Sequence, residues 1–294
     1  MTFLKNSLYV LLVAGLISCE KSVDFKLKDP EPKLVVEATI ENNNWPIVFL
    51  SNSLNYFSTL DPSAIQQSFV HNANVTISNG IQTHRLKEYQ VSLQGGILFY
   101  YTIDSSNLAT AFKGELNKQY NLKIIVNGKE YNANTTIPNI TKRIDSLWGK
   151  PVPGFNNPNK RVLMIKATDP TGYGDYIRYF TKRNNEPFYP ALNSVFDDQI
   201  VDGTTYTVEI ERGVDRNVPR SDGYSYFDRG DTVTLKLSNI DKVTFDFWRT
   251  MEYTYSTVGN PFSSPTKVLG NITGGALGYF GGYASQFKTI VIRD

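Results

Sequence analysis

Short runs in which apolar and polar residues alternate recur along the chain, and they predict a mainly β fold. In residues 34–40 and 74–78, an apolar side chain occupies every second position, as expected for a strand with one buried face. Asn127-Gly128 separates two such runs and predicts a hairpin, because both central residues of a type I′ turn need a positive φ. About seven strands of this kind predict an immunoglobulin-like or transthyretin-like sandwich over residues 33–138.

Proline, glycine and asparagine are concentrated in residues 139–160, which we predict to be the segment between two domains. The chain is also longer than a single small core usually requires, which favours two domains. Residues 161–294 contain further strand patterns and are predicted to form a second β-rich domain with one amphipathic helix.

The amphipathic helix is predicted near residues 239–256, where apolar residues recur at four-residue spacing. Ser238, with Asp241 three positions later, resembles a capping box and places the helix start near Asn239. The apolar stripe is expected to pack on the second sheet. Its members are Val243, Phe247 and Met251, widened by Ile240, Trp248 and Tyr255.

Composition and charge restrict the possible classes of function. Hydrophobic residues make up 40% of the chain and charged residues 20%, which allows a packed core and is not typical of disorder. Lys and Arg number 30 and Asp and Glu 28, and removal of a leader whose single charge is Lys5 brings the net charge to about +1. This balance argues against nucleic-acid binding and against a polybasic membrane patch.

The N-terminus has the pattern of a bacterial export signal. After Lys5, residues 8–17 form an apolar run that suits a signal peptide and is too short for the ~20 residues of a transmembrane helix. Residues 16–19 resemble the lipobox of bacterial lipoproteins, which implies removal of residues 1–18 and acylation of Cys19. Because Cys19 is the single cysteine, acylation would also consume a thiol that has no internal disulfide partner. An ordinary secretory signal with an incidental cysteine is the alternative.

The segment after the cysteine, residues 19–32, is polar, charged and closed by Pro30 and Pro32. We predict that it is a lipidated tether between the bilayer and the folded body. Acyl chains on Cys19 would hold the protein stably on the membrane.

Residues able to support metal or nucleophilic chemistry are few. His71 and His84 lack metal-ligand spacing, and exposed positions in or beside strands are expected for both. Asp169 and Asp175 flank a glycine-containing loop and are candidate Ca²⁺ ligands, with a plain turn as the alternative. No Gly-x-Ser-x-Gly nucleophile elbow and no phosphate-binding loop is found, and no cofactor is expected.

Two pairs of carboxylates keep an enzymatic alternative open. Asp197 and Asp198 lie in a predicted turn, and Asp228 and Asp231 flank an Arg-Gly dipeptide. Hydrolysis of a glycoside needs two carboxyl groups several ångströms apart in a cleft. The sequence contains paired carboxylates, but it does not show two of them at that separation in a cleft.

Two other groups of residues are candidates for binding or modification. Glycines in residues 270–282 flank Tyr279, Phe280 and Tyr283, and they permit positive φ or close backbone approach. These aromatics are either a ledge that binds a glycan, a peptide or a partner, or, as we favour, side chains that fill the second core. Ser146 and Thr232 each follow an aspartate and precede an apolar residue, a pattern that resembles O-glycosylation sites of Bacteroidota periplasmic proteins.

The lipobox and several later segments together resemble a family of Bacteroidota outer-membrane lipoproteins, catalogued as domain-of-unknown-function family 4249. The resemblance covers essentially the whole chain after the leader and supplies no catalytic residues. It implies a lipoprotein of the outer membrane that is often encoded near TonB-dependent receptors. The segments that carry the resemblance are residues 30–40, 72–80, 129–138, 270–272 and 277–280.

These observations favour a non-enzymatic accessory lipoprotein, anchored to the outer membrane on its surface or periplasmic side. It is expected to assist a TonB-dependent transporter in ligand capture or complex assembly. The alternatives are a surface glycan-processing hydrolase that uses Asp/Glu pairs, and a purely structural envelope protein.

Overall fold

Fifteen strands in the described part of the chain form two sheets, which confirms the mainly β fold predicted from the alternating pattern. The computed structural model describes residues 31–54, 61–93, 96–260, 262–264 and 266–293. The predicted signal peptide, Cys19 and nearly all of the predicted tether lie outside these residues. The strands are β1 (Leu34–Glu41), β2 (Ile47–Asn52), β3 (Asn74–Ser78), β4 (Thr83–Leu93), β5 (Gly96–Ile103), β6 (Lys118–Val126), β7 (Lys129–Ile137), β8 (Arg143–Pro151), β9 (Lys160–Thr168), β10 (Tyr176–Arg183), β11 (Tyr189–Phe196), β12 (Thr205–Ile210), β13 (Phe227–Asp228), β14 (Thr232–Ile240) and β15 (Leu277–Val291).

The larger sheet has 11 strands in the order β11-β10-β14-β15-β1-β2-β5-β4-β3-β6-β7. It is mixed, because β1 and β15 pair in parallel while the neighbouring pairs are antiparallel. The smaller sheet has 4 strands, in which β9 pairs with β8 along one edge and with β12 and β13 along the other.

Hydrophobic side chains gather in three clusters. The first lies inside the strands of the N-terminal half and includes Phe280 and Ala284 of β15. The second contains side chains of both sheets, among them Leu163 of β9 and Leu235 of β14. The third lies between the larger sheet and the long helix, and it includes Tyr279. The strand β15 therefore contributes side chains to each of the three hydrophobic clusters.

The hairpin predicted at Asn127-Gly128 is confirmed. It joins β6 to β7, with Val126 opposite Lys129. The φ angles of Asn127 and Gly128 are 50° and 77°, the positive values that this turn requires.

The strands of residues 34–137 are successive members of the larger sheet, and no immunoglobulin-like domain is identified in the described residues. Because β1 pairs with β15, the sheet continues without interruption from the first half of the chain into the second. Residues Pro32–Asp294 accordingly form one compact unit. The limits of the two predicted domains stay a prediction.

Two α-helices accompany the sheets in the described residues, α1 (Pro62–Ser68) and α2 (Lys242–Thr257), and Leu108–Thr110 forms a short 3-10 helix. The helix α2 corresponds to the predicted amphipathic helix, but its N-cap is Asp241, whose side chain accepts a hydrogen bond from the Thr244 backbone. Ser238 was the wrong N-cap because β14 continues through it, and its hydroxyl is hydrogen-bonded at 2.7 Å to Ser285 of β15. Val243, predicted to be on the buried face, is 41% exposed.

No helix of the described residues is both long enough and apolar enough to cross a bilayer.

Candidate functional site

A cavity of about 610 Å³ lies between α2, the strands β1 and β15, and the connection of residues 267–276. Its walls are mainly aliphatic and aromatic, and its charged lining residues are Glu37 and Lys267. Pockets of this volume, with apolar walls and a few polar groups, are typical of small-molecule sites. The aromatic lining residues are Phe247, Trp248, Tyr255 and Tyr279.

Strand alternation places the floor of this cavity. In β1, the side chains of Val36 and Ala38 are buried in the first cluster, whereas Glu37 belongs to the opposite face. In β15, Phe280 is buried in that same cluster, whereas Tyr279 packs in the cluster beneath α2. Glu37 and Tyr279 are direct neighbours across the parallel pair, so both line the cavity side by side.

The close approach of α2 to this floor depends on a residue without a side chain. A Cβ atom added to Gly281 would lie 2.8 Å from Tyr279 Cε2 and 2.9 Å from Thr244 Oγ1 of the helix. Both neighbours are buried, so they could not move aside easily. Glycine at this position therefore allows α2 to form the wall of the cavity.

The carboxylate of Asp241 fixes the N-terminus of α2 to the edge of the sheet. One oxygen, Oδ1, caps the helix by accepting a hydrogen bond of 2.9 Å from the Thr244 backbone N–H. The other, Oδ2, accepts hydrogen bonds from Thr135 Oγ1 at 2.8 Å and from the Thr136 backbone at 3.0 Å. One side chain thus joins the helix to β7.

The connection of residues 267–276 is held in place by hydrogen bonds to β7. The backbone N–H of Thr273 donates to the carbonyl of Asn132 at 2.8 Å, and the Asn132 N–H donates to Thr273 Oγ1 at 3.0 Å. Asn271 bridges the carbonyls of Asn134 and Phe280 with its side-chain amide. This wall of the cavity also covers the edge strand of the larger sheet.

Three rings form a compact aromatic wall. Phe247 stacks on Tyr279 with ring centroids 4.3 Å apart and an interplanar angle of 21°. Trp248 meets Tyr279 edge-on at 5.3 Å and meets Phe247 edge-on at 5.1 Å. These offset and edge-to-face arrangements are the favourable ones for aromatic pairs.

A buried polar network holds the aromatic wall from behind. Tyr283 Oη accepts hydrogen bonds from Arg178 Nη1 and from Trp248 Nε1, each of 3.1 Å, and is 3.2 Å from Tyr279 Oη. The guanidinium carbon of Arg178 lies 3.4 Å from the centroid of the Trp248 ring. Burial raises the pKa of Tyr279 well above its ordinary value, so its hydroxyl stays protonated.

Glu252 of α2 continues this network on the buried side of the helix. Its carboxylate accepts hydrogen bonds from the Ser194 backbone N–H at 2.9 Å and from Ser194 Oγ at 2.5 Å. Arg178 Nε donates to the same hydroxyl at 3.3 Å. Burial raises the pKa of Glu252, and the hydrogen bonds from Ser194 and the charge of Arg178 partly oppose that rise.

Glu37 differs from these residues because it has no polar partner. Among the described residues, its carboxyl group forms no hydrogen bond and no ion pair, although the charge of Arg178 acts on it from a distance. The surrounding protein atoms raise the pKa of Glu37, and Arg178 partly opposes the rise. The side chain is nevertheless accessible from the cavity, so a bound molecule can contact it.

The structure separates the three aromatic residues that the sequence grouped as a ligand-binding ledge. Tyr279 lines the cavity, Tyr283 lies beneath it in the polar network, and Phe280 is fully buried in the first cluster. Alternation along β15 places Phe280 on the face opposite to Tyr279 and Tyr283, which lie on the same face. Binding of a ligand by these residues stays a prediction.

The candidate Ca²⁺ ligands fall at a different place, in the loops between β9 and β10 and between β11 and β12. The carboxylates that converge there, within 4.8 Å of one another, are those of Asp169, Asp198 and Asp202 rather than Asp175. The ammonium of Lys142 lies 3.2 Å from Asp169 Oδ1, and both side chains are fully buried. Lys142 thus supplies a positive charge that a metal would otherwise supply. Calcium binding stays a prediction.

The carboxylates that the enzymatic alternative would use form hydrogen bonds and ion pairs that stabilise turns. Asp198 accepts hydrogen bonds from the backbone N–H groups of Gly174 and Asp175. Asp228 and Asp231 both bind the guanidinium of Arg183, at 2.8 and 2.6 Å. Burial opposes ionisation of Asp231, but the Asp228 N–H and Arg183 outweigh it and lower the pKa of Asp231.

The two candidate modification sites differ in accessibility. Thr232 is exposed at the first position of β14, whereas Ser146 is half-buried within β8 and paired with Lys166. A glycosyltransferase needs an accessible hydroxyl, so Thr232 is the better placed of the two. Modification of either residue stays a prediction.

The expectation of two exposed histidines is wrong for His84. It is 1% exposed, its Nε2 accepts a hydrogen bond of 3.0 Å from the Asp104 backbone N–H, and its Nδ1 lies 2.9 Å from Thr110 Oγ1. His71 is exposed and lies 2.5 Å from the carboxylate of Glu88. The neighbours of His84 lie in the connection between β5 and β6, and alternation in the sequence did not indicate this contact.

The buried His84 should make stability depend on pH. Burial lowers its pKa, opposed by Asp104, so below about pH 6.5 the unfolded chain takes up a proton that the folded chain resists. We expect the free energy of unfolding of the wild-type protein to fall between about pH 7.5 and about pH 5.5. Denaturant titrations should show a smaller fall for His84→Gln, and equal falls in the two proteins would contradict this account.

Sequence reasoning missed the residues that give the cavity its polar character. Glu37 is the single charged residue in the interior of the strand β1, and this charge is the signal that the sequence offers. No signal in the sequence indicates Arg178 and Glu252, because these residues meet through contacts between β10, β11 and α2, which are distant along the chain. Trp248 was recognised as part of the apolar helix stripe, but not as the wall of a cavity.

One comparison with known proteins identifies relatives. The model of a protein family described as "Domain of unknown function (DUF4249)" matches residues 20–289, which confirms the resemblance found in the sequence. No curated protein matches the chain.

Proposed function

This chain belongs to the DUF4249 family, and we propose that it is a non-enzymatic, lipid-anchored protein that binds a small amphipathic molecule in the cavity beside α2. The cavity of about 610 Å³ is the observation that carries this proposal. Its volume falls within the range of about 300–1,000 Å³ that is typical of ligand sites.

The construction of the walls supports a binding role. Trp248 and Tyr279 are fixed by hydrogen bonds to Tyr283, and the N-terminus of α2 is fixed to β7 by Asp241. Rigid walls reduce the conformational entropy that a protein loses when it binds a ligand. A site of this kind can hold a molecule without rearrangement of the sheet.

The location and the partner are part of the proposal. The lipobox-like residues 16–19 support acylation of Cys19 and attachment to the outer membrane, and residues 19–32 would then act as the tether. The family resemblance supports a TonB-dependent receptor as the partner to which a captured ligand passes. Purification of the intact protein from native membranes should recover such a receptor, and its consistent absence would count against this part.

A finer description of the first half also belongs to the proposal. The strands β1 to β7 surround a single hydrophobic cluster, which supports an immunoglobulin-like or transthyretin-like arrangement in which one curled sheet replaces two separate ones. Such a body would serve as a rigid support for the cavity.

Filling the cavity should weaken binding. Val35 lines the cavity from β1, and an aromatic residue is compatible with a strand, so Val35→Trp should fill space while the fold is retained. We expect at least a tenfold weaker affinity, about 1.4 kcal/mol, for the apolar fluorescent probe N-phenyl-1-naphthylamine. Met251→Trp fills the same cavity from α2 and should act alike.

The matched control is Val208→Trp, on an exposed face of β12 that does not line the cavity. This control should bind the probe as the wild-type protein does. Unchanged binding in both cavity variants, each shown to be folded, would refute the assignment of the site.

A further inference from the structure

The cavity contains a carboxyl group that forms no ion pair with a described residue. Its charged lining residues are Glu37 of β1 and Lys267 of the connection, and both are exposed residues that form no ion pair with each other. Glu37 forms neither an ion pair nor a hydrogen bond with any residue that the structure describes, whereas the acid Glu41 on the same strand pairs with Lys236. A carboxylate that lines a mainly apolar cavity without a partner can pair with a cationic group of a bound molecule.

The neighbouring buried charges already offset each other. Arg178 and Glu252 are both about 95% buried and are joined through the hydroxyl of Ser194. The charge of Arg216 also acts on Glu252, so two guanidinium groups offset this carboxylate. Glu37 is thus the acid of the cavity lining, and no described residue forms an ion pair with it.

The walls next to this carboxylate suit a cation better than an anion. Tyr279 pairs with Glu37 across β1 and β15, but it is 2% exposed because other aromatic side chains pack on its ring. The more accessible aromatic rings of the lining are those of Trp248 and Tyr255. Aromatic rings attract ammonium groups through their quadrupole, and the attraction grows when water is excluded. Arg178, which stacks on Trp248, already makes one such contact in this protein.

From these observations we propose that the bound molecule carries a positively charged nitrogen, an amine or a quaternary ammonium, on an apolar body. The nitrogen pairs with the Glu37 carboxylate, and the apolar body fills the space between Phe247, Met251 and Ile272. This inference rests on the proposed function, since it assigns the chemical class of the ligand to the same cavity.

The test compares three probes with the same apolar chain: dodecyltrimethylammonium, dodecanol and dodecanoate, each below its micelle concentration. Isothermal titration of the wild-type protein should show that the cation binds at least about tenfold more tightly than the alcohol, as expected for a hydrogen-bonded or paired charge. Glu37→Gln should remove that preference and leave the affinity for dodecanol unchanged. Glu41→Gln, which removes a carboxylate of the same strand outside the cavity, should keep the preference.

The wild-type protein offers a second measurement that needs no variant. Affinity for the cation should fall as the pH is lowered, because a protonated Glu37 loses its charge, while affinity for dodecanol should stay constant. Equal binding of the three probes, or tightest binding of dodecanoate, would overturn the inference and leave the proposed function standing. Failure of all three probes to bind would overturn the proposed function as well.

Discussion

Replacement of Lys142 by methionine is expected to lower the free energy of unfolding by about 3–5 kcal/mol, because it leaves a buried carboxylate without its partner. Asp169 is 2% exposed, lies 3.2 Å from the lysine ammonium and shares its surroundings with Asp198 and Asp202. Methionine has a similar length and can keep the contact with the ring of Phe196, so the loss should come mainly from the charge.

The dependence on pH provides an internal check. Burial already raises the pKa of Asp169 above its ordinary value, with Lys142 opposing that rise. Without the lysine the pKa should rise further, so the folded variant takes up a proton more readily than its unfolded chain. The deficit in stability should therefore shrink as the pH is lowered from neutral towards about 4, the ordinary pKa of an aspartate.

The matched control is Lys123→Met. Lys123 pairs with Glu130 at 2.7 Å, which is shorter than the buried pair, but both side chains are 47% exposed. Exposed ion pairs contribute at most about 1 kcal/mol, because water solvates the separated charges well. Equal losses for Lys142→Met and Lys123→Met in denaturant titrations would show that burial does not determine the effect.

Replacement of Gly282 by alanine is expected to cost about 3 kcal/mol, the upper part of the range for overpacked cores. The added Cβ would lie 2.4 Å from the carbonyl oxygen of Thr136 and 2.8 Å from the backbone nitrogen of Ile137. These are backbone atoms of β7, which its pairing with β6 holds in place. The sheet curls so that its edge strand packs against β15, and only glycine permits that contact.

Gly275→Ala separates crowding from backbone strain. Gly275 lies in the same glycine-rich segment with a φ of +82°, and an added Cβ would meet nothing within 4 Å. The positive φ alone should cost about 1–2 kcal/mol. A loss for Gly282→Ala no greater than that for Gly275→Ala would contradict the close packing of β7 on β15.

The sequence predicted strands wherever the buried pattern is local. Alternation in residues 34–40 and the turn at Asn127-Gly128 were sufficient for β1 and for the β6–β7 hairpin. The parallel pairing of β1 with β15 was not predictable, because the two strands are at opposite ends of the described chain and no short-range signal links them. Through that pairing, strands that the pattern assigned to two domains belong to one sheet.

The predicted N-cap of α2 was wrong because a polar residue can lie inside a strand. Ser238 resembles an N-cap in the sequence, but in the structure it pairs with Ser285 across two buried strands. Asp241 takes over the cap because β14 ends at Ile240. The sequence indicates Tyr279 as a candidate because it is an aromatic residue among glycines. The importance of Glu37 depends instead on a cavity that only the tertiary packing creates.

The most direct test is to identify what the cavity holds in the native protein. Small molecules extracted from the wild-type protein and from Val35→Trp, both purified from native membranes without denaturation, would be quantified by mass spectrometry. We predict about one amphipathic, nitrogen-containing molecule per wild-type chain and a loss of at least tenfold in the variant. Equal retention by the two folded proteins, or no small molecule in the wild-type protein, would contradict the account.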